Sequence, residues 1–157
     1  MWKKVVLLLA VVVTILLSSY IFGLEWYRKY RNQQQLAEIK GISTENYQIF
    51  KDFTQEIEAE TDWKVLIVSG YRTEEEQEVL KKINTKNASA GKSKHNFAKA
   101  IDICLYKRKF IFTRWLLKSS SKKRWEESTA VQTAEKYNLN WGGNFKNYYD
   151  PVHFEIK

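Results

Sequence analysis

The stretch SKHNFAKAIDICLY, residues 93–106, holds the most informative pattern of this sequence. A polar loop ends near His95, and the run from Ala100 to Tyr106 is typical of a buried strand. Because side chains alternate along a strand, Asp102 shares a face with the small residues two positions away on either side. A buried carboxylate needs a partner, and a metal ion is one such partner. His95 and Asp102 are therefore candidate metal ligands.

A second cluster of ionisable residues is DPVHFE, residues 150–155. The chain has two histidines, and each cluster contains one of them. Alternation puts His153 and Glu155 on one face of a strand, with Asp150 in the turn before it. Two imidazoles and the Asp102 carboxylate would leave the fourth position of a tetrahedral site open, as in catalytic zinc sites. From spacing alone, each histidine could instead form an ordinary surface or capping pair with its neighbouring aspartate and bind no metal.

Two further residues are candidates for catalysis. Asp150 precedes His153 by three residues and is placed to take a proton from an attacking water molecule. Arg72, on a turn after a short strand, is placed to bind a substrate carboxylate or to stabilise a developing oxyanion. A surface ion pair for Arg72 and an edge-strand charge for Glu155 are the ordinary alternatives.

Local patterns predict helices and strands in an order typical of an α+β domain with a small, mainly antiparallel sheet. Ser43 or Thr44 can cap an amphipathic helix, and Thr73 with Glu76 has the form of a capping box. Short apolar runs predict strands at residues 64–68, 100–106, 139–141 and 152–156.

Three blocks of this sequence occur in the order of a known family: SGYRT (69–73), SKHNFAKAID (93–102) and WGGNFK (141–146), which leads to DPVHFE (150–155). Together they resemble the zinc peptidases that include D-alanyl-D-alanine carboxypeptidases and the L-alanyl-D-glutamate endopeptidases of bacteria and phage. The third block is more similar to the endopeptidase branch.

The resemblance implies a Hedgehog/DD-peptidase type of domain, Zn²⁺ as cofactor and peptidoglycan stem peptides as substrate. The site that it implies consists of the zinc ligands His95, Asp102 and His153, the catalytic residues Asp150 and Arg72, and Ser93 and Glu155 beside the ligands. We predict an L-alanyl-D-glutamate endopeptidase. A D-Ala-D-Ala carboxypeptidase and a wall-binding module without turnover stay open, although a binding module would not need Asp150.

Two positions depart from the family pattern. Ala98 stands where the family usually has glycine, and a positive φ there would strain the loop that presents His95. Asn144 stands where the endopeptidase branch commonly has aspartate, so the shape is kept and the charge is lost. Neither change removes a ligand.

The amino-terminal segment predicts a membrane helix. Val5 to Leu24 is free of charged residues, and a helix of this length spans about 30 Å, the thickness of a bilayer core. A cleaved secretory signal is the alternative, although no clean cleavage site is present. We expect a membrane segment at 1–24, a linker or helical stalk at 25–40, and a peptidase domain at 41–157 that lies outside the cytoplasm, anchored or secreted.

The net charge of +8 favours anionic neighbours such as lipid headgroups or wall polymers. Residues 107–124 are strongly basic, with aromatic residues interleaved. We interpret this stretch as a solvated basic face above buried aromatic side chains, and we expect no nucleic-acid partner. Cys104 is the only cysteine, which excludes a disulfide within the chain.

Overall fold

The computed structural model describes residues 2–109 and 112–157, apart from the side chains of Lys3 and Lys4. The fold is α+β, as predicted, with helices packed on an antiparallel sheet. The helices are α1 (Trp2–Ile42), α2 (Thr44–Glu60), α3 (Glu74–Ile83), α4 (Lys122–Glu126) and α5 (Thr129–Lys136). The strands are β1 (Lys64–Ser69), β2 (Ala100–Lys109), β3 (Phe112–Leu116), β4 (Leu139–Trp141) and β5 (His153–Ile156). Short 3₁₀ turns cover Lys94–Phe97 and Gly142–Asn144.

Strand β2 is the centre of the sheet, in which the strand order is β1-β2-β5-β4. β1 pairs along one edge of β2. On the other edge, β5 pairs with the start of β2 and β3 pairs with its end. All of these pairings are antiparallel. β2 is longer than the predicted strand and pairs with β3 as a hairpin. Residues 110–111, between the two strands, lie outside the described residues.

The two faces of β2 have different surroundings. Ile101, Ile103 and Leu105 are fully buried in the hydrophobic core, where they join Phe50 and Phe53 of α2. The residues between them, which include Asp102, point to the opposite face because side chains alternate along the strand. The core therefore lies under one face of the sheet, and the ionisable cluster lies on the other.

Helix α1 has two parts. Its apolar part is exposed and is long and apolar enough to span a membrane. Its second part packs on the domain, where the Asn32 amide bonds the backbone of β1 and Ile39 is fully buried in the core. The segment expected as a linker or helical stalk at 25–40 is thus helical and in contact with the sheet. The domain boundaries at 24 and 40 stay predictions.

Gly70 sits where the end of β1 meets α1. An added Cβ at Gly70 would lie 3.0 Å from Cδ1 of Ile39 and 3.1 Å from the carbonyl oxygen of Gln35. The Gly70 N–H donates to the Gln35 side chain at 2.6 Å. A larger residue at this position would require α1 to shift by a few tenths of an ångström, so the close approach favours glycine.

The predicted helix starts are confirmed. Ser43 caps α2 by accepting from the N–H of Asn46. Thr73 and Glu76 form both hydrogen bonds of a capping box at the start of α3.

We expect Ile39→Ala to lower the free energy of unfolding by about 2–5 kcal/mol, because it leaves a cavity between α1 and β1. Chemical denaturation of a chain beginning at Glu25 measures this change. Ile42→Ala is the matched control, since Ile42 is 54% exposed on the same helix. Equal and small effects of both substitutions would mean that α1 is a free stalk.

Candidate metal centre and active site

Three ionisable side chains converge on the face of the sheet opposite the core. His95 comes from the 3₁₀ turn before β2, Asp102 from β2 and His153 from β5. Asp102 and His153 are directly opposite each other in the β2–β5 register. Directly opposed residues on one face have Cβ atoms about 4.5–5.5 Å apart, so the pairing of the strands alone brings these two together.

The distances between the three facing atoms suit a metal ion. His95 Nε2 and His153 Nδ1 lie 3.3 Å and 3.0 Å from Asp102 Oδ1, and 3.3 Å from each other. Ligand bonds of about 2.0–2.1 Å at tetrahedral angles set zinc ligands about 3.3 Å apart. The predicted residues thus form a group that could hold one metal ion, with two nitrogens and one oxygen.

Hydrogen bonds on the outer side of each imidazole set its orientation. His95 Nδ1 lies 2.6 Å from the carbonyl oxygen of Gly70, and His153 Nε2 lies 3.1 Å from Oε2 of Glu155. Both acceptors favour a proton on the outer nitrogen, so a neutral imidazole turns its lone pair inward. Lone pairs of two nitrogens and a carboxylate then face one another, and this arrangement calls for a cation between them.

The pKa values of the cluster follow from the same contacts. Burial raises the pKa of Asp102, but the neighbouring His95 and His153 lower it more, and the net pKa lies well below the usual range. Burial lowers the pKa of His153, but its hydrogen bonds to Asp102 and Glu155 raise it to about 9. The contacts of the cluster therefore favour a positive charge beside the Asp102 carboxylate.

Arg72 lies beside the metal ligands. Its Nη2 is 3.5 Å from Asp102 Oδ2 and donates to Oγ of Ser69 at 2.9 Å, while Nη1 donates to the Gln77 side chain at 2.7 Å. Arg72 therefore lies beside Asp102, and its catalytic role stays a prediction. Its contact with Oδ2 leaves Oδ1 of Asp102 as the oxygen that faces the two imidazoles.

Asp150 is held in the turn before β5. Its N–H bonds the carbonyl oxygen of Gly142, and its carbonyl oxygen accepts from the N–H of His153. A Cβ on Gly142 would lie 2.4 Å from that carbonyl oxygen, so only glycine allows the turn to approach. Oδ1 of Asp150 is buried and lies 3.1 Å from Lys118 Nζ without forming a well-directed hydrogen bond.

An aromatic wall borders the cluster. The ring of Phe145 packs on His153 with 5.6 Å between centroids, and Tyr148 packs on Phe145 at 5.3 Å. Burial and the nearby Asp150 raise the pKa of Tyr148. Tyr148 is 44% exposed, so part of its ring is open to a ligand.

Three further positions that the sequence singled out are Ser93, Ala98 and Asn144. Oγ of Ser93 accepts from the N–H of His95 at 3.3 Å, and so it supports the turn that carries this ligand. Ala98, in place of the family's glycine, has φ 52° and ψ 30°, a left-handed conformation that costs a non-glycine residue about 1–2 kcal/mol. Asn144 is exposed.

Comparison with known proteins agrees with this geometry. Residues 86–156 match the model of a family described as D-alanyl-D-alanine carboxypeptidase. The matched segment contains His95, Asp102 and His153, the three side chains that converge at the site. The chain is a peptidoglycan peptidase with a His–Asp–His metal site. The apolar helix at the amino terminus is a signal or an anchor, which puts the peptidase outside the cytoplasm.

The fold is similar to that of a solved peptidase. The crystal structure of Serratia marcescens L-Ala D-Glu endopeptidase ChiX superposes with a TM-score of 0.56 at 14% sequence identity. The match covers 81% of this chain and 86% of that chain. At this identity the likeness shows the shared fold.

Three contacts at the site were not predicted from the sequence. They are the Gly70 carbonyl on His95, Gln77 on Arg72 and Lys118 beside Asp150. Gly70 lies in the SGYRT block. The block predicted a turn but did not indicate that the Gly70 carbonyl oxygen would contact His95. Lys118 is one of many cations in residues 107–124, and no local pattern distinguishes it from the others.

We expect Glu155→Gln to weaken zinc binding by about tenfold, because a neutral amide supports the His153 imidazole less well than a carboxylate. Competition with a chromogenic chelator measures the affinity. Glu135→Gln removes the same charge from an exposed position on α5 and serves as the control. Unchanged affinity in Glu155→Gln would show that His153 does not depend on this bond.

Proposed function

We propose that the chain is a zinc-dependent L-alanyl-D-glutamate endopeptidase that cleaves peptidoglycan stem peptides while α1 anchors it in the membrane. The observation that carries the proposal is the convergence of His95 Nε2, Asp102 Oδ1 and His153 Nδ1 at 3.0–3.3 Å. This set of nitrogen and oxygen donors is typical of catalytic zinc sites with an open position.

The proposed mechanism divides the work between the metal and the chain. Zinc, when bound, polarises the scissile carbonyl and lowers the pKa of water to about 7. Asp150 takes the proton of the attacking water and passes it to the amine that leaves. The Asp150 carbonyl oxygen accepts from the N–H of His153, so the backbone holds Asp150 beside the strand that carries this ligand. Lys118 Nζ lies 3.1 Å from Oδ1 of Asp150.

Arg72 has an orienting role in this proposal. Its guanidinium already bonds Gln77 and Ser69 and lies beside Asp102. Its contact with Oδ2 keeps Oδ1 of Asp102 directed at the metal. A direct contact of Arg72 with the substrate stays a prediction.

The endopeptidase activity is favoured over the carboxypeptidase activity by the third sequence block, WGGNFK at 141–146 leading to DPVHFE at 150–155. The solved structure with a similar fold is also an L-Ala D-Glu endopeptidase.

We expect Asp150→Asn to reduce cleavage of muropeptides by about 10²–10⁴-fold, because the amide cannot accept the proton. Bound zinc should stay near one per chain, since Asp150 is not among the three converging side chains. Residues 25–157 retain the packing part of α1 and are suitable for the assay. Metal analysis and mass spectrometry of the products measure the two quantities.

Asp62→Asn is the matched control, since Asp62 is an exposed carboxylate on the α2–β1 turn. Product masses separate cleavage after L-alanine from removal of terminal D-alanine. Zinc binding without any cleavage by the unmodified chain would favour the wall-binding module. A folded chain without zinc would contradict the three-ligand site.

A further inference from the structure

A basic surface surrounds the free end of the β2–β3 hairpin, far along β2 from the metal ligands. An open groove of about 1200 Å³ is lined there by five cations and one carboxylate: Lys107, Lys109, Arg114, Arg108, Arg124 and Asp62. Phe112 at the start of β3 is 75% exposed. We call residues 107–109 and 112–114 the hairpin surface.

The hairpin surface lies beside the apolar part of α1. The Tyr106 hydroxyl donates to the Glu25 carboxylate, and two residues further along β2 the Arg108 guanidinium lies 5.8 Å from the Tyr20 ring. Two residues of a strand cover about 7 Å. The five residues from Glu25 back to Tyr20 cover about 7.5 Å of helix. β2 therefore runs along α1 toward its uncharged stretch, and Lys109 lies one residue beyond Arg108 in that direction.

The cations of this surface are arranged unfavourably in the absence of an anion. Lys107 and Arg114 are directly opposite each other in the β2–β3 register. Like charges at opposed positions destabilise a strand pair. Nη2 of Arg108 is buried and has no hydrogen-bond partner within the described residues. Both features would be relieved by an anionic group with several acceptor oxygens.

We propose that the hairpin surface binds the phosphate groups of anionic lipids at the surface of the membrane that α1 enters. The contact between Arg108 and Tyr20 favours lipid over a soluble polyanion, because Tyr20 lies within the uncharged stretch Val5 to Leu24. The exposed Phe112 is suited to the boundary between headgroups and acyl chains. This second contact would limit rotation of the peptidase domain about α1. The inference rests on the proposed anchoring of α1.

The test uses the full chain in lipid nanodiscs. A fluorescent label is attached at Phe112→Cys in a Cys104→Ala background, and a quencher is carried on lipid headgroups. We expect strong quenching with anionic lipid and weak quenching with zwitterionic lipid. A triple variant should lower the equilibrium constant for contact between the hairpin surface and anionic lipid by about a hundredfold, or about fivefold for each cation removed. It carries Lys107→Gln, Lys109→Gln and Arg114→Gln. Salt at about 1 M should also release the contact.

The control is a second triple variant, which removes the same charge from helices α3 and α4 and should leave the quenching unchanged. It carries Lys82→Gln, Lys122→Gln and Lys123→Gln. Equal loss in both triple variants, or equal quenching in both lipids, would overturn the proposal. So would a label that responds to soluble polyphosphate but not to anionic lipid, or a chain that does not incorporate into nanodiscs. Zinc content and cleavage of soluble muropeptides, measured on the same variants, should be unchanged. A failure of the lipid contact is thereby separated from a failure of the peptidase.

Discussion

The register between β2 and β5 is the constraint on which the site depends. It sets Asp102 opposite His153 on the face away from the core, while Ile101 and Phe154 form the neighbouring pair inside it. A slip of one residue would turn each of these side chains to the wrong face. Burial of the apolar residues therefore holds the register, and the register positions two of the three metal ligands. The pairing of β2 with β5 thus places one pair of residues in the hydrophobic core and the next pair in the metal centre.

Burial of a carboxylate between two imidazoles is costly unless a positive charge lies among them. Arg72 supplies part of that charge on one oxygen of Asp102, and the other oxygen faces the two imidazoles. The outer bonds to Gly70 and Glu155 direct the imidazoles toward this oxygen. Stability and cation affinity are thus coupled, because the same nitrogen and oxygen lone pairs attract a cation.

Helix α1 connects the apolar amino-terminal segment to the metal centre through few contacts. The Gln35 side chain accepts from the N–H of Gly70, and the carbonyl oxygen of Gly70 accepts from His95. One peptide unit on each side of Gly70 thus lies between the helix and a metal ligand. Ile39, on the same helix, is fully buried and packs this part of α1 on the core. Residues expected to act as a stalk are therefore part of the structure that supports the site.

The sequence by itself determined the local features: the capped helices, the strand that carries Asp102 and the apolar amino-terminal helix. The ionisable residues of the site were also predictable, because the two histidine clusters and the three family blocks are contiguous. Only the tertiary structure decided which partners these residues have. The packing of α1 on β1, the bond from Gly70 to His95 and the approach of Lys118 to Asp150 join residues that are far apart in the chain. Such contacts depend on strand register and helix packing, and neither is encoded in a local pattern.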